Sequence, residues 1–264
     1  MASLVDTNVT ARADDRRFFL GAAIAMTLVI VAGFSNQLAA GRSTFYAPPL
    51  VHAHAIVFMG WVTIYLTQNI VVATDRMEIH RRLGWVAAGW MVPMVVLGCG
   101  VTIAMVRRGQ VPFFFRPLQF LVFDPLSLLA FVGLTGSAIA LRYRTEWHRR
   151  LHLCGMSMLM APGFGRLLPM PFLPPYAWEA SFAAGLLFPL AGMAYDFRRT
   201  GRVHPAYRWG LLAMLGALVL IEAVTYSPVG QALYRLVTAD SPGAKVAPLE
   251  FGPPPPGTLV TGRS

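Results

Sequence analysis

The sequence predicts an all-α polytopic membrane protein with about seven transmembrane helices and a pseudo-repeated four-helix core. Of its 264 residues, 56% are hydrophobic and only 13% are charged, whereas an ordinary soluble domain carries roughly a quarter charged residues. The apolar residues lie in runs long enough to cross a bilayer as helices. One short basic motif follows both the second and the fourth of these runs, which indicates an internal repeat.

The repeated motif has the pattern R-x-E-x-H-R-R-L and occurs at residues 76–83 and 144–151. Each copy follows one apolar run and opens the next, so the repeated unit is a helix, a basic turn and a second helix. The two units cover about residues 51–106 and 119–170. Because each unit contains an even number of spans, both turns and their histidines should lie on one face of the membrane.

Seven apolar runs define a predicted transmembrane domain over residues 18–235. The polar residues 1–17 are expected to form an N-terminal tail. From about 236 to 264 the composition turns to Ser, Pro, Gly and Ala, which predicts a flexible, proline-rich tail. The predicted spans cover about residues 18–37, 51–74, 83–106, 119–142, 149–170, 178–196 and 208–228.

The basic residues predict the orientation of the chain. Fourteen of the 22 Lys and Arg residues fall on the side that holds the N-terminus and both motif turns. The positive-inside rule therefore predicts a bacterial inner (cytoplasmic) membrane protein with a cytoplasmic N-terminus and an external C-terminus. The loop with Arg107, Arg108 and Arg116 departs from this rule. Since topology explains the net charge of +10, we expect the lipid bilayer, and not nucleic acid, as the partner.

Three histidines are predicted to cluster at the inner ends of the spans. His148 and His152 are four residues apart and share a helix face, which Met156 continues. The repeat should bring His80 into the same neighbourhood. Neutral imidazoles converging from different helices suit axial haem ligation or a metal site. The alternative is that His80 and His148 only hydrogen-bond their own turns.

The second predicted helix carries a stripe of polar-tipped side chains on one face, which should point towards protein or a cavity and not towards lipid. The stripe consists of His54, Phe58, Trp61, Tyr65 and Gln68. His54 therefore joins the candidate cofactor-binding residues. Interhelical hydrogen bonding is the simpler interpretation of the same pattern. His52 points to a different side of this helix.

The outer halves of the predicted spans contain ionisable residues, which are costly at membrane depth and usually paired or functional. Asp124 and Glu222, together with His52 or His54, could form a site for a divalent metal or for proton relay. Arg166 lies in the same half of the membrane. We expect it to pair with Asp124 or Glu222.

The central part of the chain resembles an uncharacterised prokaryotic family of predicted membrane proteins, a domain of unknown function. The similarity covers roughly residues 50–170 and implies a multi-pass helical protein without assigning an activity. The residues that carry it are His54, the turn from His80 to Gly84, and His148 with Met156 and Arg166.

The histidine pattern also resembles, more weakly, the b-type cytochromes and ferric reductases. In those proteins a four-helix core carries haem between histidines on facing helices. That resemblance implies haem b as a cofactor and an electron-transfer partner. No second histidine lies opposite His54 in the predicted outer half, so at most one haem, on the inner side, is expected.

Several functions therefore remain open. The leading hypothesis is a haem- or metal-binding membrane protein with a redox role. The alternatives are a small-molecule or proton-coupled transporter or sensor, and a non-catalytic membrane assembly subunit. The sequence contains no nucleophile elbow or phosphate loop. A conventional hydrolase or kinase is therefore not expected, and whether the chain is an enzyme stays open.

Overall fold

The computed structural model describes residues 2–43 and 45–254, with side chains from residue 14 onwards. The described part forms nine α-helices and two short 3-10 helices, at Met170–Phe172 and Pro242–Lys245. The α-helices are α1 (Ala2–Ala39), α2 (Pro49–Ala73), α3 (Met77–Arg108), α4 (Pro117–Ala140), α5 (Thr145–Met158), α6 (Ala161–Leu167), α7 (Ala177–Thr200), α8 (Pro205–Thr225) and α9 (Pro228–Thr238).

Six of these helices are long and apolar enough to cross a membrane. The structure therefore agrees with the predicted multi-pass helical membrane protein, although it contains six such helices where seven were predicted. The six segments are Asp14–Ala39, Pro49–Ala73, Met77–Arg108, Pro117–Ala140, Ala177–Thr200 and Pro205–Thr225.

The predicted fifth span, residues 149–170, is not one long helix. It consists of α5, with 14 residues, and α6, with seven. Pro162 in the first turn of α6 explains the interruption, because proline lacks an N–H and clashes with the carbonyl of the preceding turn. At 1.5 Å per residue, α5 is only about 21 Å long. The two predicted repeat units therefore do not form equivalent helix pairs.

The helix contacts define two ends of the bundle. His80 in the first turn of α3 lies next to His148 in the first turn of α5, and we call this end the histidine face. At the opposite end, which we call the tail face, Trp178 in the first turn of α7 stacks on Phe123 of α4 with ring centroids 4.3 Å apart. Because α7 begins at the tail face, the chain passes from one end of the bundle to the other through α5 and α6.

Helix α4 lies at the centre of the bundle. In the most apolar 18-residue stretch of α4, 61% of the residues are buried. In the corresponding stretches of the other five long helices, 22–33% are buried. It packs against α3, α5 and α8. The short helices α5 and α6 lie inside the same assembly, since α5 contacts α4, α7 and α8 while α6 contacts α1 and α7. Neighbouring helices thus cover α5 and α6, although both are shorter than the long spans.

Small residues allow α1 and α6 to pack at very short distance. A Cβ atom added to Gly33 would lie 2.5 Å from the carbonyl oxygen of Gly163, and one added to Gly163 would lie 3.2 Å from the Cα of Ile30. Close backbone approach through glycine is typical of packed membrane helices. The contact holds the short helix α6 against the first long span.

Both predicted tails differ from the structure. The backbone of residues 2–17 continues α1 and does not form a separate segment. Residues 236–254, predicted to be flexible, pack on the tail face instead. The Leu118 N–H donates to the carbonyl of Pro248 (2.8 Å), and the Tyr234 hydroxyl donates to that of Gly243 (3.1 Å). Helix α9 and these bonds anchor the segment, while residues 255–264 lie outside the described residues.

Candidate functional site

Three histidines meet at the histidine face. The ring centroids of His80 and His148 are 6.0 Å apart, and those of His148 and His152 are 4.6 Å apart. In both pairs the rings are close to perpendicular. The structure thus brings together the three predicted inner candidates, two from α5 and one from α3.

A backbone carbonyl sets the tautomer of His148. Its Nδ1 lies 2.8 Å from the carbonyl oxygen of Ala138, near the end of α4. Because a carbonyl can only accept, Nδ1 carries the proton and Nε2 of the neutral ring keeps its lone pair. Histidines that ligate a metal are commonly oriented by such a second hydrogen bond.

Two buried polar atoms near this cluster lack hydrogen-bond partners among the described residues. They are Nδ1 of His80 and Oε1 of Gln68. The Gln68 amide lies against α3, since a Cβ added to Gly84 would be 3.6 Å from its Nε2. Gly84 is one turn beyond His80 on the same helix. Buried polar atoms without partners carry a free-energy penalty, so this side of the cluster is polar and only partly satisfied.

His54, the fourth predicted cofactor residue, lies apart from the inner cluster. It is in the first turns of α2, which begins at the tail face, whereas His80 lies just beyond the opposite end of that helix. The His54 ring stacks on Phe58 with centroids 4.2 Å apart. Its Nδ1 is buried and has no partner in the described part of the chain. His54 therefore belongs to a separate polar position.

The residues predicted to bind a metal in the outer half of the membrane form hydrogen bonds with different partners. His52 Nε2 lies 3.1 Å from the carbonyl oxygen of Phe45. Asp124 accepts a hydrogen bond from the Thr102 hydroxyl (3.0 Å). Glu222 accepts one from the Gln119 amide (3.1 Å). Within residues 2–43 and 45–254, no group of three or more His, Cys, Asp and Glu side chains has a geometry that could hold a metal ion.

Arg166 does not form the predicted ion pair within the described residues. Its guanidinium donates to the carbonyl of Pro162 in its own helix (2.8 Å) and lies 4.0 Å from the ring centroid of Phe34. Stacking on an aromatic face provides an alternative to a carboxylate for a guanidinium. The short helix α6 favours this arrangement, because it sets Arg166 against α1.

A buried ionic cluster beside the histidines was not predicted from the sequence. Asp15 of α1 pairs with Arg149 of α5 and with Arg199 of α7, and it accepts a hydrogen bond from the Tyr195 hydroxyl (3.1 Å). Asp15 is only 5% exposed. Its carboxylate thus ties three helices together at the histidine face. The sequence did contain a signal for this ion pair, because Asp15 and Arg199 have opposite charges. Both also lie at ends of spans that are predicted to be on the same side of the membrane.

A second ion pair extends this cluster to α8. Arg150 pairs with Asp196 through two hydrogen bonds, and Asp196 also accepts the backbone N–H of His204 (3.2 Å). His204 is half-buried and caps α8 by accepting the Ala206 N–H on Nδ1 (3.2 Å). Burial, followed by the nearby Arg150 charge, lowers the pKa of His204.

Glu146 completes the cluster on its solvent side. Its carboxylate pairs with both Arg149 and Arg150. Burial acts to raise the pKa of Glu146, but the two guanidiniums outweigh it and the pKa is lower than the ordinary value. The carboxylate is therefore held in its charged form.

Comparison of the whole chain with family models, curated proteins and solved structures finds no match.

Proposed function

We propose that this chain is a multi-pass membrane protein that binds a metal cofactor at His80, His148 and His152 and uses it in electron transfer. Haem b is the first candidate. The observation that supports this most directly is the meeting of imidazoles from two separate helices, with ring centroids 6.0 Å apart. The adjacent Nδ1 of His80 adds a buried polar atom that has no hydrogen-bond partner among the described residues.

The donor set suits haem better than a bare metal ion. Structural and catalytic zinc sites take three or four protein ligands, whereas haem iron needs only one or two axial side chains. His148 offers an Nε2 lone pair whose orientation is set by the Ala138 carbonyl. His80, on the facing helix, would be the second residue to hold the haem. When bound, the haem would supply one-electron chemistry, and these residues would hold and orient it.

The topology proposed with this function has seven crossings. Helices α5 and α6 together would make the fifth crossing as one broken span. Their passage from the histidine face to the tail face supports this, because α7 begins at the tail face. Irregular backbone is tolerated at membrane depth where protein covers it, and Met160 at the break is fully buried. The histidine face would be cytoplasmic by the positive-inside rule.

A proton-coupled or small-molecule transporter or sensor is the second candidate. Its support is the broken α5–α6 segment, since discontinuous helices line the binding sites of many transporters. Arg166 at the end of α6 and Asp124 in α4 would then be the charged residues that bind the small molecule or transfer the proton. The first proposal is preferred because imidazoles from two helices meet at the histidine face, whereas Arg166 and Asp124 form no ion pair among the described residues and Arg166 donates to the Pro162 carbonyl.

An optical spectrum combined with metal analysis of the purified full-length protein tests the proposal. The expected result is a Soret band with about one iron per chain. Ligation requires an unprotonated imidazole nitrogen, so the band should weaken on acidification. A colourless protein without stoichiometric metal, after expression with sufficient haem and iron, would leave the transporter or sensor as the better proposal.

A further inference from the structure

A cavity of about 470 Å³, widely open at the surface, lies at the tail face beside the last turns of α3. Its volume is within the range of small-ligand sites, about 300–1,000 Å³. Ile103 and Ala104 line it from α3, as do Arg107 and Arg108, and Asp240 lines it from the C-terminal segment. Because α3 runs towards the tail face, the apolar pair lies about 6 Å further from that face than the arginines, at 1.5 Å per residue.

This cavity contains two of the three arginines that depart from the positive-inside rule. Arg107 donates to the carbonyl of Val237 (2.6 Å). Arg116, the third, donates to the Tyr226 hydroxyl (2.8 Å) and lies 4.5 Å from the ring centroid of Phe251. Both therefore hold the C-terminal segment on the tail face, which explains why they are found there.

Arg108 has no such structural role. It is exposed, and its side chain makes no hydrogen bond or ion pair with any residue in the described ranges. Its charge nevertheless lines the same cavity as Ile103 and Ala104, which lie one helical turn deeper along α3. A cation at the end of a membrane span, next to an apolar wall, matches the layout of an amphiphile with an anionic head.

We propose that this cavity binds an anionic phospholipid, with the phosphate at Arg108 and an acyl chain along Ile103 and Ala104. Arg107 would add positive charge while remaining bonded to Val237. Asp240 in the same lining opposes the binding of anions by charge alone. The apolar wall must therefore contribute to affinity, so the site should select a lipid over free phosphate. The site is remote from the histidine cluster, and its occupancy does not depend on a cofactor.

Native mass spectrometry of the full-length protein in an uncharged detergent tests this proposal, with phosphatidylglycerol as the probe. The Arg108→Gln substitution should lower retention of the lipid by about fivefold, the effect of one basic residue at a membrane surface. Ala104→Leu, which fills the apolar part without changing charge, should also lower it. Arg235→Gln is the matched control, because Arg235 is an exposed residue of the neighbouring helix α9.

Two further probes distinguish the phosphate of a phospholipid headgroup from free inorganic phosphate. Diacylglycerol, which lacks the phosphate, should bind no more tightly to the wild type than to Arg108→Gln. Inorganic phosphate should not displace phosphatidylglycerol. The proposal is overturned if Arg108→Gln or Ala104→Leu retains phosphatidylglycerol as the Arg235→Gln control does. Displacement of the lipid by inorganic phosphate would instead assign the site to a free anion.

Discussion

Arg150 and Asp196 form a buried, two-point ion pair between α5 and α7. The Arg150 Nε lies 2.9 Å from one carboxylate oxygen of Asp196, and its NH2 nitrogen lies 2.6 Å from the other. The two side chains are only 6% and 4% exposed. Since Asp196 also accepts the His204 N–H, one carboxylate connects the helix of His148 and His152 to both α7 and the start of α8.

Removal of this carboxylate should strongly destabilise the protein. Breaking a buried ion pair from one side costs about 3–5 kcal/mol, because it leaves an uncompensated charge. We expect Asp196→Ala to lower the apparent melting temperature in detergent far more than Glu78→Ala. Glu78 pairs with Arg82 on an exposed surface, where such a pair contributes about 0.3–0.5 kcal/mol. Equal melting of the two variants would mean that Arg150 reaches water.

Acidification should weaken the ionic cluster through Glu146. A carboxyl whose pKa is lower in the folded state stabilises the fold above its unfolded pKa, and this contribution is lost as the pH falls towards the folded pKa. The loss should therefore begin near pH 4.5, the ordinary value, and grow below it. Melting curves of wild type and Glu146→Gln from pH 7 to pH 3 provide the measurement. The wild type should lose more stability, and parallel curves would contradict this account.

The close contact of α1 and α6 should make Gly33 intolerant of a side chain. Gly33→Ala places a Cβ 2.5 Å from the Gly163 carbonyl oxygen, and overpacking of this kind typically costs 1–3 kcal/mol. Gly21→Ala in the same helix is the control, because a Cβ there meets nothing within 4 Å. It should be neutral or stabilising, as alanine is the better helix former. Equal loss of stability in both variants would show that α1 and α6 do not pack this closely.

Cysteine labelling can test whether α5 and α6 cross the membrane. Tyr143 and Tyr176 flank this segment and are 86% and 68% exposed, so each can be replaced by Cys in a Cys99→Ser, Cys154→Ala background. A membrane-impermeant maleimide applied from one side should label only one of the two positions. Labelling of both from the same side would mean that the bundle has six crossings.

The sequence predicted the long spans because they depend on local properties, namely apolar run length and the charges between runs. The fifth predicted span is not one long helix, because Pro162 interrupts a run that is otherwise apolar enough to cross. Its two short helices are stabilised by α1, α4, α7 and α8, and contacts between distant helices cannot be read from hydropathy. The packing of residues 236–254 was missed for the same reason, since its bonds go to partners such as Leu118 and Arg107.

The histidine cluster was predictable because a repeated motif fixes the position of His80 relative to His148. The ionic cluster was not predictable, because Asp15 and Arg199 are separated by most of the chain. Each of them resembles an ordinary charged residue at the end of a span. Only the packing of α1 against its neighbours shows that Asp15 is buried. The expected ion pair of Arg166 with Asp124 or Glu222 is not formed, and the guanidinium instead donates to the Pro162 carbonyl and lies over the Phe34 ring.

The cofactor content of matched histidine variants tests the central claim most directly. Iron and Soret absorbance would be measured at constant protein for wild type, His80→Ala, His148→Ala, His152→Ala, His54→Ala and His204→Asn. The last variant keeps a side chain that can cap α8. We predict that His80→Ala, His148→Ala and His152→Ala lose the cofactor, whereas His54→Ala and His204→Asn retain it. A cofactor retained in His148→Ala and His152→Ala but lost in His54→Ala would contradict the proposed site.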